Sequence, residues 1–256
     1  MSEERALDRI GKLLAQAEGT DNEHEADAFV TRAQELATSY AVDLELARAR
    51  QSARRLRGPV TAELIQRQLA VGAHGRRGNR QLVLLYLGVA EANDVMVNVA
   101  HNSTFVLGFG YPDDLDVVEQ LWASLATQMG TAAGRRLRRG EHRAEGVPAI
   151  SWRLSFYDGW VAAVHGRLRD ARERALASSS EPGGRSGELV LRAKGERVRE
   201  FHDQASQARG SWRGAHASHQ HSGRAFTAGE RDGRAARLGE PSLDRRHSLG
   251  AGPQSG

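Results

Sequence analysis

The sequence contains no cysteine and no long apolar run. Without cysteine there is no disulfide framework, no thiolate zinc site and no cysteine nucleophile. No apolar stretch approaches the roughly 18 to 20 residues that a bilayer-spanning helix requires, and the charged segment 1–17 is unlike a secretory signal. We therefore expect a cytoplasmic protein that does not enter a membrane.

Lysine is nearly absent, and charge is unevenly distributed along the chain. Only Lys12 and Lys194 are lysines among 36 basic residues. Residues 1–133 hold 13 basic and 18 acidic residues, a net charge of −5, whereas residues 134–256 hold 23 and 14, a net charge of +9. A basic half can attract phosphate backbones through counterion release, although arginine-rich solvated faces also occur in proteins that bind no nucleic acid.

The common catalytic and nucleotide-binding motifs are missing as well. There is no G-x-x-x-x-G-K-S/T phosphate loop and no G-x-S-x-G nucleophile elbow. Gly108 and Gly110 begin a G-x-G, but the third glycine of a dinucleotide site is absent, so these glycines are better explained by strand geometry. We expect no cofactor, and the absences favour a protein that is not an enzyme.

Hydrophobic periodicity divides the chain into four parts. Residues 1–57 contain two amphipathic helices that should fold back on each other as a helical hairpin, followed by a basic linker helix. Residues 58–177 form an α+β core domain. Residues 178–238 are a C-terminal extension, with a flexible linker at 178–187, a short strand at 189–191 and a helix at 196–207. Residues 239–256 form a disordered tail.

Within the core domain, alternating residues predict a small antiparallel sheet. The segment 60–71 reads as an edge strand, and 95–99 with 105–109 as a β-hairpin whose turn places Asn102 in the left-handed conformation. One helix should follow Asn79, which is predicted to be its N-cap. A second helix should follow Pro112. The acidic residues after Pro112 are assigned to helix capping rather than to a cation site: Asp113, Asp114 and Asp116.

A further helix is expected over residues 152–177. Trp152, Phe156 and Trp160 recur at near-helical steps on one face. If these rings were exposed, they could stack on nucleic-acid bases. Burying each ring, however, stabilises the folded state by on the order of 2 to 3 kcal/mol, which favours a position in the core. The predicted fold class is thus α+β: an N-terminal helical hairpin followed by a small antiparallel sheet packed with several amphipathic helices.

The N-terminal segment 10–43, IGKLLAQAEGTDNEHEADAFVTRAQELATSYAVD, resembles a bacterial and phage family known as domain of unknown function 2786. The region downstream resembles the domain that commonly follows it, with an acidic helix start, a Ser-Phe-x-x-Gly element and a closing segment of small residues. These elements are Gly110 to Asp116, Ser155 to Gly159, Ala225 to Gly229 and Glu230 to Gly233. The resemblance implies an architecture and carries over no catalytic residue.

Three functions remain open. The basic half could make weak, sequence-independent contacts with nucleic acid, for which the candidate residues are Arg135, Arg136, Arg138, Arg139 and Arg153. Alternatively, the N-terminal hairpin could dock on a protein partner. The third possibility is a hydrolase with an unrecognised site, which would require a cleft gathering His101, Asp158 or His165 beside carboxylates.

A metal site is the remaining candidate. His216, His219 and His221 follow the order H-x-x-H-x-H and could share an ion. The segment is polar, flanked by glycine and without nearby carboxylates to orient the rings, so a solvated loop is the better explanation. We assign no metal ligands.

Overall fold

The computed structural model describes residues 63–179, 185–212 and 221–238, together with four isolated helical positions nearer the N-terminus: Leu13, Gln16, Ala28 and Arg32. The predicted N-terminal hairpin, apart from those four positions, lies outside the described residues. So do the predicted tail at 239–256 and the middle of the predicted linker, 180–184.

Three antiparallel strands form the sheet: β1 (Ile65–Ala70), β2 (Met96–Val99) and β3 (Phe105–Gly110). β3 lies in the centre, with β1 and β2 at the edges. The predicted edge strand and the predicted hairpin are therefore both confirmed. Gly108 leaves room for neighbouring side chains, because a Cβ at this position would lie 2.7 Å from Leu115 Cδ2 and 2.9 Å from the Tyr86 hydroxyl.

The hairpin turn differs from the prediction in one residue. Ser103, not Asn102, has the left-handed conformation, with φ of +59°. The Asn102 side chain instead accepts hydrogen bonds from the backbone N–H of Thr104 at 3.2 Å and from its hydroxyl at 2.8 Å. Because this side-chain turn already orders the backbone at Asn102, the positive φ moves one residue along the chain.

Six helices are present among the described residues: α1 (Asn79–Ala92), α2 (Pro112–Arg138), α3 (Glu141–Ala144), α4 (Ala149–Ser179), α5 (Arg185–Ala205) and α6 (Gly223–Arg234). Together with the small sheet they confirm the α+β class. No helix in the described part of the chain is long and apolar enough to cross a membrane.

The predicted side-chain caps are wrong, although Asp113 and Asp114 do lie in the first turn of α2, where the helix dipole favours negative charge. Gly78 is the N-cap of α1, and the Asn79 amide donates to the Ala73 carbonyl at 2.9 Å, which secures the preceding loop. α2 starts after Tyr111 without a side-chain cap. Its acidic residues bind distant basic side chains instead: Asp114 pairs with Lys194 at 2.7 Å, and Asp116 with Arg67 at 2.5 Å.

The predicted strand at 189–191 is also wrong, because these residues lie within α5. Three consecutive apolar residues do not distinguish a strand from a helix. The predicted linker at 178–187 is helical at both of its ends, since α4 continues to Ser179 and α5 begins at Arg185. α5 packs on the sheet, with Phe201 edge-on to Phe109.

The hydrophobic core lies between the sheet and helices α1, α2 and α4. Trp152, Phe156 and Trp160 are at most 1% exposed, which confirms the predicted core face of α4. Trp122 on α2 is also buried, and its indole N–H donates to the Leu82 carbonyl of α1 at 2.9 Å. This hydrogen bond joins α1 to α2 inside the core.

α4 and α6 approach so closely that glycine is required on both helices. A Cβ on Gly159 would overlap the carbonyl oxygen of Phe226, and a Cβ on Gly229 would overlap that of Phe156. At Gly233 a Cβ would lie 2.6 Å from the carbonyl oxygen of Trp160. The backbones of the two helices are therefore in direct contact, and α6 forms part of the same packed unit as the core.

Replacing Gly159 by alanine should separate α4 from α6. We expect Gly159→Ala to lower the free energy of unfolding by about 2 kcal/mol or more, because the new methyl group must displace backbone atoms. Gly166→Ala is the matched control on the same helix, since no atom lies within 4 Å of a Cβ there. It should raise the free energy of unfolding by about 0.5 to 1 kcal/mol. Urea denaturation of both variants tests this, and equal effects would contradict the packing.

Candidate nucleic-acid interface

One of the five predicted arginines is not available to a phosphate. Arg136 is buried, and its Nε and Nη2 atoms donate to the two carboxylate oxygens of Asp232 on α6, both at 2.8 Å. Its Nη1 atom donates to the Glu141 carboxylate at 3.0 and 3.1 Å. Arg136 therefore joins α2 to α3 and α6.

The other four predicted arginines differ in exposure. Arg135, Arg138 and Arg139 are exposed at the C-terminal end of α2, and Arg153 is half-buried near the start of α4. Basic residues in the last turn of a helix are favoured by the helix dipole, so their presence there does not require a ligand. What matters for binding is which other charges lie beside them.

Sequence reasoning missed the arginines of α6. Arg224, Arg231 and Arg234 are exposed, with 72% of the Arg231 side chain and 68% of the Arg234 side chain open to solvent. The signal is present in the spacing: Ala225, Gly229 and Gly233 are buried against α4, so residues about half a turn away must face outwards. The small residues of this segment are the feature that stands out in the sequence.

Exposed arginines lie on α2 and α6, the two helices that the bonds from Arg136 to Asp232 hold together. On α2, Arg135 lies two turns beyond Gln128 on the same side of the helix. The Gln128 side chain binds the backbone of Arg237, just after α6, accepting from its N–H at 2.8 Å and donating to its carbonyl at 3.2 Å. Arg139 lies one further turn along. We call this surface the basic edge, and its members are Arg135, Arg139, Arg224, Arg231 and Arg234.

Asp232 lies beside arginines of both helices: it binds Arg136 of α2, and its Oδ1 atom lies 4.0 Å from Arg231 Nε. The pKa of Asp232 is lowered, mainly by its hydrogen bonds to Arg136 and further by the charges of Arg231 and Arg135. Arg135 and Arg231 therefore both lie near the same carboxylate, although they belong to different helices.

The basic edge keeps a positive charge after its acidic neighbours are counted. Arg136 binds Asp232 and Glu141, and Arg234 lies 3.6 Å from Glu230. The five arginines of the edge and Arg136 carry six positive charges against three carboxylates, which leaves +3.

A hydrogen-bond network fixes the start of α6 and thereby the position of the arginines that α6 contributes to the basic edge. Ser222 caps the helix by accepting from the N–H of Ala225 at 3.0 Å, and its own N–H donates to the Ser155 hydroxyl at 3.0 Å. The Ser222 hydroxyl donates to Glu145 at 2.6 Å, and the other Glu145 oxygen accepts from the Trp152 indole at 3.0 Å. Ser155 of the Ser-Phe-x-x-Gly element thus positions α6.

The candidate metal ligands are only partly described. His216 and His219 lie outside the described residues, and His221 is exposed with its ring centroid 6.0 Å from that of Phe226. The described segments contain no group of three histidine, aspartate or glutamate side chains that could hold an ion. That the H-x-x-H-x-H segment is a solvated loop therefore stays a prediction.

The residues considered for a hydrolase are not gathered together. His101 is exposed in the hairpin turn, whereas Asp158 and His165 lie two turns apart on α4, about 10 Å along the helix axis. Asp158 accepts from Gln81 at 3.0 Å. His165 Nε2 lies 2.9 Å from the Leu84 carbonyl, and burial lowers its pKa. Asp158 and His165 therefore both join α4 to α1.

The docking of a partner on the N-terminal hairpin also stays a prediction. Leu13, on the first of the two predicted amphipathic helices, is one of the four described positions in this segment. It is half-buried and packs against the hydrophobic core of the molecule.

The ion pair of Arg136 and Asp232 predicts a pH-dependent contribution to stability. Because the folded pKa of Asp232 lies below its ordinary value of 3.8, the contribution is present at neutral pH and is lost as pH falls below 3.8 through the folded pKa. Asp232→Asn should lower the free energy of unfolding at pH 7 by about 2 to 3 kcal/mol. The difference from the parent protein should shrink steadily below pH 4, when measured by urea denaturation. A constant difference down to pH 2 would contradict the assignment.

No curated protein and no solved structure matches this chain. The resemblance of the downstream region to the domain that follows the family of the N-terminal segment therefore stays a prediction. A family model does match the N-terminal segment, over residues 5–44. Over these residues the chain is similar to the family described as protein of unknown function DUF2786.

Proposed function

We propose that this protein binds nucleic acid without sequence preference through the basic edge. The observation that carries the proposal is that Arg136 of α2 and Arg231 of α6 lie beside the same carboxylate, Asp232. With Arg136, the arginines of the basic edge outnumber the three carboxylates paired with them by three. Guanidinium groups match phosphate oxygens with two parallel hydrogen bonds, and binding releases the counterions that surround the polyanion.

The five predicted arginines have different roles in this proposal. Arg135 and Arg139 belong to the edge itself, and Arg138 is exposed beside them at the end of α2. Arg136 acts indirectly, because its bonds to Asp232 hold α6 against α2. Arg153 lies half-buried on α4 and is not a member of the edge.

Reversing two charges of the edge tests the proposal. The double variant Arg135→Glu with Arg231→Glu removes one arginine from each helix. Because this variant can bind two fewer phosphates, the slope of log affinity against log salt concentration should fall in magnitude by about 2 for duplex DNA. Affinity at low salt should fall by at least about 100-fold, since each phosphate bound contributes on the order of a factor of ten. Fluorescence anisotropy with the full chain measures both quantities.

The control reverses two charges elsewhere. Arg192 and Arg199 are exposed on α5, which packs on β2, β3 and α4. Arg192→Glu with Arg199→Glu changes the net charge by the same amount, so it reports the effect of overall charge alone. If the two double variants weaken binding equally, the edge is not the binding site. If the parent protein does not bind at low ionic strength, the proposed function is wrong.

A further inference from the structure

We infer that the basic edge binds the backbone of a duplex and discriminates against single strands. This inference rests on the proposed function and adds the class of nucleic acid. Proteins that bind single strands combine a positive groove with aromatic side chains on which the bases stack. Proteins that bind duplexes without sequence preference need only cations placed to reach the phosphates.

The edge offers cations and has no aromatic ring among its five members. The large aromatic side chains beneath it, Trp152, Phe156 and Trp160, are at most 1% exposed and fill the core under α6. Phe226 on α6 is half-buried, and its backbone carbonyl lies against Gly159 on the α4 side of the helix. Of the five exposed residues of α6, three are arginines and the other two, Gly223 and Thr227, also lack an aromatic ring on which a base could stack.

The spacing of the arginines on α6 also fits a duplex. Arg224 and Arg231 are seven residues apart and lie on one side of the helix, about 10 Å apart along its axis. The major groove of B-form DNA is about 12 Å wide, so two side chains at this separation can reach phosphates on its two sides. Arg234 lies one turn beyond Arg231 and extends the row.

The edge is held in place before any ligand arrives. At the C-terminal end of α6, Arg167 Nη1 donates to the carbonyl oxygens of Gly233 at 3.1 Å and Ala236 at 2.5 Å. With the Ser222 network at the other end and the glycine contacts between them, α6 is anchored along its length. A rigid row of cations suits a duplex, whose phosphates occupy fixed positions, better than a flexible single strand.

A comparison at equal phosphate number tests the inference. The full chain is titrated with a fluorescent 20-base-pair duplex and with a 40-nucleotide oligothymidine, which carry the same number of nucleotides but differ in structure. We expect the duplex to bind at least about tenfold more tightly at the same salt concentration. Arg224→Gln should weaken duplex binding several-fold and change single-strand binding less than twofold. Arg192→Gln on α5 is the matched control and should change neither.

The outcomes separate the inference from the proposed function. If both nucleic acids bind through the edge with equal affinity, or if the single strand binds more tightly, the inference is wrong and the proposed function stands. If neither nucleic acid binds, both are wrong. If duplex binding is tighter but Arg224→Gln leaves it unchanged, the contact across the groove is wrong.

Discussion

The contact between the backbones of α4 and α6 is the constraint on which the rest of this structure depends. Each helix places a carbonyl oxygen against a glycine of the other, Phe226 over Gly159 and Phe156 over Gly229, so no side chain fits between them. A helix of 12 residues is marginal by itself in water, and α6 buries little apolar side chain. Its position therefore follows from shape and from polar bonds at its two ends. Since the docked side needs only small residues, the solvent side of α6 can carry a high density of charge.

Arg136 shows how the protein uses a charge in the interior. Burying an unpaired guanidinium is costly, but here two carboxylates from α3 and α6 satisfy it, and these hydrogen bonds raise its pKa. The pairing fixes the distance between α2 and α6. It also neutralises Asp232, which would otherwise reduce the positive potential of the basic edge. A largely buried residue thus affects the charge of the surface above it.

Much of the fold could be predicted from the sequence, because strong periodicity decides the sheet, α2 and the aromatic face of α4. The errors occur where a distant partner decides the structure. Asn79 could cap a helix by its residue type, yet it binds Ala73, and Asp114 could cap α2 but pairs with Lys194. In the candidate site, the run of arginines at the end of α2 is visible in the sequence, but the burial of Arg136 depends on Asp232, 96 positions later. No local pattern contains that information.

The same geometry sets how strongly a bound polyanion could stabilise the fold. A ligand stabilises the folded state only to the extent that it binds that state better than the unfolded chain. The unfolded chain keeps all its arginines and its net charge of +4, so it also attracts phosphates. What the folded state adds is order: arginines from two helices are brought to one edge and held there by Gly159, Gly229 and Arg136. Under the proposed function, the advantage of the folded state for a polyanion lies in the relative placement of α2 and α6. A change that loosens their contact would then weaken binding without altering a single charge.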